Sequence, residues 1–321
     1  MRAWLNHIKG AAALLELRGK QQLETELGRR LFTHLRTQIV NVCILRRTPI
    51  PTAIIELSHA YYAMDEGAQN NPPAKMTAIN VQLCDLRAKI GHRPSSSSAM
   101  SPQTIISEAL SIVADLNDWH SELPPDHFPT STVQIYSPRP DVCLDYCHMY
   151  RDLSTATIMN NGRVLLILVH EIILTQVSRL QCRAPAELDR PSSGHRASSP
   201  GYQAEIDHQI ETSQSTILGL IDLICATVPF LLDYDHCASA TLEPAHPRAA
   251  GGNAVMWPLY VAAQISFVPT STRAWIIARL SKIGNDMGVQ QATIMAKFLL
   301  QRMEITDVLA EENDTGDLLK G

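Results

Sequence analysis

The sequence predicts an all-α protein: an irregular multi-helix array or bundle with long mobile loops. Three observations carry this. Apolar residues recur at three- and four-residue spacings along most of the chain. The 45% hydrophobic content leans on Leu, Ile, Val and Ala, while aromatics make up only 5%, a mixture that suits helices better than Tyr- and Thr-rich sandwich strands. No stretch alternates with a convincing period of two, and no repeat of solenoid length recurs. The 321 residues read as one helical domain over 1–311, followed by a frayed acidic tail over 312–321.

Trp4 to Leu17 forms the first expected helix, with Trp4, Ile8, Ala11, Ala12 and Leu15 on one side. Gly19 stands where a left-handed C-terminal cap is expected. The second helix spans Thr25 to Arg47, its buried stripe being Leu27, Leu31, Leu35, Ile39, Val42 and Leu45, with Pro49 and Pro51 ending it. Ala53 to Tyr62 is a short helix. Pro72 and Pro73 open another over about Ala74 to Ile90.

Pro94 to Pro102, PSSSSAMSP, is a polar mobile loop. Ser101 then caps a helix whose first residue is Pro102 and which runs to about Leu123, where Pro124-Pro125 stops it. Asp126 to Pro140 lacks a helical period and is irregular or extended. Asp145 to Thr157 and Gly162 to Arg183 read as one long central helix with an irregularity at Asn160-Asn161-Gly162, or as two helices meeting there. Ala184 to Gly201, with three prolines and two Ser-Ser pairs, is a second mobile linker. Gln203 to Thr227 is helical, and Pro229 to Pro247 is a loop. Ala249 to Gly288 packs two short helices around aromatic anchors, and Val289 to Ala310 makes a final amphipathic helix.

Composition narrows the function classes. The formal net charge of −5 argues against a free-standing nucleic-acid binder. Seven scattered cysteines and an opening MRAWLNHIKG without an apolar signal core fit free thiols in a reducing compartment. The longest apolar run, Val164 to Val177, is interrupted by His170 and Glu171. It falls short of the roughly 20 residues of a membrane span, so no membrane partner is expected.

Motifs for chemistry are sparse. No G-x-S-x-G elbow, P-loop or G-x-G-x-x-G occurs. Cys143, Cys147 and His148 form C-x3-C-H, with His236 and Cys237 as the remaining zinc ligands if the two loops meet. Burial as ordinary core residues is the stronger reading of those cysteines. His170-Glu171 lacks the second histidine of a zincin. Asp115-Leu116-Asn117-Asp118, and Asp141 with Asp145, are the nearest approach to carboxylates that hold a metal ion in an all-α enzyme. Helix-surface and capping roles explain them more simply. Among Arg29, Arg30, His34, Arg36, Arg46 and Arg47, Arg29 and Arg36 are seven apart and share a face that could meet phosphates. A solvated face is the stronger reading.

Several blocks resemble one family. They are Trp4-Leu5-Asn6-His7-Ile8-Lys9-Gly10-Ala11-Ala12-Ala13-Leu14-Leu15 with Leu17-Arg18-Gly19, Leu27-Gly28-Arg29-Arg30-Leu31-Phe32 with Leu35 to Ile39, and VLLILVHEIIL from Val164 to Leu174. Gly251-Gly252, Trp257-Pro258-Leu259-Tyr260, Thr272-Arg273-Ala274-Trp275 and Ile283-Gly284 complete them. Together they resemble the fungal-specific regulatory domain of binuclear zinc-cluster transcription factors. That resemblance implies an all-helical regulatory region, nuclear localisation and control of transcription, often of metabolic or secondary-metabolite genes. It also implies partners: the transcriptional machinery or a partner regulator, and a second copy of the chain.

The sequence departs from the family in lacking the six closely spaced cysteines of the zinc cluster; no C-x2-C exists anywhere. DNA contact is therefore expected only through a missing zinc-cluster domain, encoded before Met1 or lost, or through a partner.

The expectation is a non-enzymatic transcription regulator with no cofactor and no resident metal, acting through protein contacts and a small effector lodged among its helices. Trp257, Tyr260 and Trp275 are the candidate effector-pocket aromatics, and Arg30 and Arg273 the candidate anion-orienting residues. Simple core packing and intramolecular ion pairs compete with those roles. The alternatives are a helical scaffold without a transcriptional role and an all-α metal-dependent enzyme.

Overall fold

In the computed structural model the chain is described over residues 2–64, 72–91, 100–136, 138–187, 200–232 and 249–301. Helices dominate, as the apolar spacing predicts. α1 (Arg2–Arg18) ends at Gly19, whose φ of +56° is the expected left-handed cap, and a 3-10 turn over Gly19–Glu24 leads into α2 (Glu26–Arg46). Thr25 caps α2, its Oγ1 accepting from the Gly28 N–H at 3.1 Å. The helix closes on Arg47 in the left-handed conformation, ahead of the prolines.

The buried side of α2 differs from the expected stripe. Leu27 and Leu31 are exposed, and the inward residues are Gly28, Phe32, Ile39, Val42, Cys43, Ile44 and Leu45. Three- and four-residue spacing permits either stripe here, and close packing at Gly28 decides between them. A Cβ at Gly28 would stand 1.7 Å from the Gln22 carbonyl oxygen, so this face is pressed against the 3-10 turn.

α3 (Thr52–Ala63), α4 (Pro72–Gly91) and α5 (Pro102–Ser121) follow. Ser101 caps α5 through its hydroxyl, which accepts from the Thr104 N–H. The expected mobile loop over 94–102 lies outside the described residues up to 99.

The next stretch corrects the sequence reading. Ser131–Gln134 (β1) and Tyr146–Met149 (β2) form a small antiparallel hairpin, with Val133 opposite Cys147 and Thr132 opposite His148. Residues 146–149 are therefore strand, and the central helix begins only at Leu153. The hairpin loop is fixed by tertiary contacts that local periodicity does not encode: the Trp275 indole donates to the Pro140 carbonyl at 3.0 Å.

α6 (Leu153–Glu187) is one unbroken helix packed against α4, α5, α7 and α8. Gly162 marks a close crossing, not an irregularity. A Cβ there would lie 2.5 Å from the Trp119 ring of α5, so only glycine admits that indole. α7 (Pro200–Leu231) runs through Pro229 near its end, which places that residue in helix and not in the expected loop. The two ends of the linker expected over 184–201 are likewise helical. Residues 188–199 of that linker, 233–248 with His236 and Cys237, the end of the expected final helix over 302–310 and the tail over 312–321 lie outside the described residues.

α8 (Ala249–Gln264) is buried at Gly251, Gly252 and from Val255 to Ala263, and touches α6, α7, α9 and α10. α9 (Thr270–Asp286) and α10 (Gln290–Gln301) close the array.

By length and hydropathy alone, Leu153–Cys182 and Gln203–Leu231 would suffice to cross a bilayer, which corrects the reading that no segment is long enough. About half of each apolar window is buried against neighbouring helices. Buried polar residues stud them: Asn160, Arg163, His170 and Gln176 on α6, Ser213 and Thr227 on α7. Arg163, only 6% exposed, is held by neutral groups alone among the described residues. It donates to Asn160 Oδ1 at 2.7 Å, Thr227 Oγ1 at 2.9 Å, the Leu223 carbonyl at 3.2 Å and the Tyr150 hydroxyl at 2.8 Å.

Candidate functional site

One side of α2 does not enter the core. Thr33, Thr37 and Asn41 recur there at four-residue spacing, which aligns them along the helix. They face α6 and α8 across open space. Two cavities fill it, of about 740 Å³ and about 630 Å³. Each lies in the size range of small-molecule sites, roughly 300–1,000 Å³. Thr33, Thr37, Asn41, Tyr61, Thr157, Asn161 and Trp257 line both. The cavities are therefore two chambers of one cleft, meeting at a waist between Tyr61 of α3, Thr157 of α6 and Trp257 of α8.

The chambers differ in chemistry. The outer one carries most of the charged side chains, bordered by Glu26, Arg29, Arg30, His34 and Gln38 of α2, Asn253 of α8 and Gln291 of α10. The Gln291 side-chain nitrogen is buried and without a hydrogen-bond partner among the described residues. The inner chamber is walled by aliphatic groups, including Ile44, Ile54, Ile55, Val81, Val164 and Leu165, and Arg36 is the single charged residue in its lining. Its Nη1 donates to the Tyr62 hydroxyl at 2.5 Å and to Thr77 Oγ1 at 3.3 Å. The guanidinium lies 5.2 Å from the Tyr62 ring centroid and 5.8 Å from that of Phe32, a cation–π arrangement. The Tyr62 hydroxyl in turn donates to the Pro73 carbonyl.

Of the residues singled out by sequence, Trp257 and Arg30 meet at the cleft. Trp257 is buried at the waist, and Arg30 is exposed at the outer rim, paired with Glu26 at 2.5 Å. Tyr260 lies behind Trp257, the two rings stacked at 6.1 Å, and its hydroxyl accepts from Gln264. Fully buried, it lines neither chamber. Arg273 donates to the Ile265 and Ser266 carbonyls and so closes the end of α8. Trp275 holds the hairpin loop and carries Arg279 over its ring at 5.5 Å. Arg273 and Trp275 sit away from the cleft.

The basic face of α2 is solvated in part, as spacing suggested: Arg30, His34 and Arg47 are exposed, while Arg29 and Arg36 are not. Arg29 is half-buried and folds back to the Leu23 and Glu24 carbonyls, while Arg36 turns into the inner chamber. The sequence marks Arg36 only as one of two arginines on a face that could meet phosphates; its place in a cavity wall depends on Tyr62 and Thr77, 26 and 41 residues away.

Among the described residues the candidate metal ligands do not converge. Cys147 and His148 are consecutive on β2 and so point to opposite faces. Cys143 instead meets Cys225 of α7; that hydrogen bond lowers the Cys143 thiol, while Cys225 is pushed well up by Cys143 and by burial. Among the described residues, no three His, Cys, Asp or Glu side chains group as a metal site. Asp115 and Asp118 sit on α5, Asp118 exposed, and Asp141 pairs with Arg139. His170 is buried, its Nδ1 3.1 Å from Ser213 Oγ, and burial lowers its pKa.

No family model matches the chain, and no solved structure matches it. Over 84 residues, 24% of this chain, the sequence is 33% identical to Transcription factor dbaG of Emericella nidulans. The chain spans a fifth of the length of that relative. Part of this all-α chain is thus distantly similar to a fungal transcription factor.

Proposed function

We propose that the chain is the helical regulatory region of a nuclear transcription regulator of the fungal zinc-cluster type, responsive to a small effector. The observation that carries this is the 84-residue similarity to Transcription factor dbaG. The resemblance of blocks spread from Trp4 to Gly284 and the all-helical architecture support it. We read the cleft as a binding site: its lining carries Glu26 and His34 at the outer chamber, Tyr61 at the waist and Tyr62 in the inner one, where the Tyr62 hydroxyl is already engaged by Arg36 and the Pro73 carbonyl. α6 and α7 act in this reading as water-soluble core helices. Leu14, Leu17, Leu27 and Leu31, exposed on α1 and α2, are apolar groups available for contacts with the transcriptional machinery, a partner regulator or a second copy. DNA would be reached through a zinc-cluster domain outside this chain or through that partner.

Fusion of residues 1–321 to a heterologous DNA-binding module tests the reading. Reporter transcription that rises or falls against the module alone supports it. An unchanged reporter with the fusion present in the nucleus rejects it in favour of a scaffold.

A further inference from the structure

We propose that the two-chamber cleft binds a small organic carboxylate with an apolar body, its carboxylate on Arg36 and its hydrocarbon against the aliphatic wall of the inner chamber. The inference rests on the cleft being the effector site of the proposed regulator, and it specifies the chemistry of that effector.

Charge is the first argument. The protein as a whole carries −5, yet the cleft is lined by three arginines, Arg29, Arg30 and Arg36, and one carboxylate, Glu26. That carboxylate is engaged by Arg30 at the outer rim. Arg36 has no acidic partner among the described residues. Half-buried at the edge of the aliphatic wall, its guanidinium has two aromatic faces and two hydroxyls as its partners and no counter-charge.

Geometry is the second. Both hydrogen bonds of Arg36 leave from Nη1, so the Nε and Nη2 edge is available for the paired N–H donation that suits a carboxylate. By contrast the buried Arg163 spreads four hydrogen bonds over both terminal nitrogens and borders neither chamber, whereas Arg36 is half-buried. The third argument is the outer chamber, where the buried amide nitrogen of Gln291 lacks a partner. A ligand long enough to pass the waist at Trp257 would find a donor there for a polar tail.

The test uses the purified full chain and a graded series of naphthalene and biphenyl monocarboxylates, each paired with its neutral primary amide. Affinity is read by calorimetry and by Trp fluorescence. At least one acid is expected to bind saturably and about tenfold or more tighter than its amide, the discrimination expected of a charge-assisted contact. Arg36→Gln should bring the acid and amide within about twofold. Thr157→Trp, which narrows the waist without touching Arg36, should weaken the longer probes more than the shorter ones.

Absence of saturable binding across the series overturns the site. Equal binding of acids and amides to the native chain overturns the anion chemistry. An acid preference that survives in a folded Arg36→Gln chain, checked by its unchanged helical dichroism, overturns the assignment to Arg36. Carboxylate binding without reporter activity keeps this inference and removes the regulator reading, whereas the reverse result does the opposite.

Discussion

Two arginines in two regions, Arg36 where α2 borders the cleft and Arg163 where α6 meets α7, solve the same problem differently. Each is held by a tyrosine hydroxyl and a threonine hydroxyl, and neither meets a carboxylate among the described residues. Arg163 is sealed between α6 and α7, where Asn160 and a main-chain carbonyl complete its shell. Arg36 stops at two hydroxyls and faces about 630 Å³ of open volume. A buried cation saturated by neutral groups is architecture. A half-buried one left half-served beside a cavity is a binding group. The difference lies less in the arginines than in what packs on them: α5, α7 and α8 crowd α6, whereas α2 is backed by α1 and leaves its threonine ladder uncovered.

The sharpest way to break this comparison is Arg163→Ala. It strands the Asn160 Oδ1 and the Tyr150 hydroxyl, at roughly 1–3 kcal/mol for each buried group left unsatisfied, while Thr227 keeps its bond to the Leu223 carbonyl. A loss of more than about 3 kcal/mol in urea unfolding is expected, and a loss under about 1 kcal/mol would show that the network is not structural. Gly162→Ala probes the same region from the packing side. Its methyl would press on the Trp119 ring, and about 1–3 kcal/mol should be lost. In the other region, Arg36→Gln should cost only about 1 kcal/mol, the scale of a partly exposed cation–π contact, while abolishing the carboxylate preference. Arg30→Ala removes an exposed ion pair and should change unfolding by less than about 0.5 kcal/mol.

pH separates the regions in another way. His148 and His170 have lowered pKa values, from burial first in both and from Arg163 as well in the case of His148. An unfolded histidine titrates near 6.5. Below that value the unfolded chain binds more protons than the folded one, so stability is full above it and lost as pH falls through the lowered folded values. Thermal unfolding should therefore drop between pH 7.5 and 5.5, and His170→Gln should flatten that drop. An unchanged slope in the variant would remove His170 as a cause.

Helix positions and the centrality of the Val164 to Val177 run were legible in apolar spacing, because those residues face neighbours on nearly every side. The hairpin was not. Its strands are four residues long and are held by α7 and by the Trp275 indole, which local pattern does not encode. The rotation of α2 was ambiguous for a related reason, since either leucines or Phe32 could face inward until the 3-10 turn met Gly28. Of the cleft, Trp257 and Arg30 were legible as an aromatic anchor and an exposed cation. Arg36 was legible only as one of two arginines that could meet phosphates, with a solvated face preferred, because a cavity wall is made by residues far apart in the chain and spacing on one helix cannot separate a solvated arginine from one turned inward.

The most direct measurement is a titration of the arginine-labelled chain with biphenyl-4-carboxylate, followed by the side-chain Nε–H resonances. The account predicts a saturable shift at Arg36, assigned through Arg36→Gln, with Arg163 unmoved and no response to the amide. Arg163 shifting alongside Arg36, or Arg36 staying still while the probe binds, would contradict it.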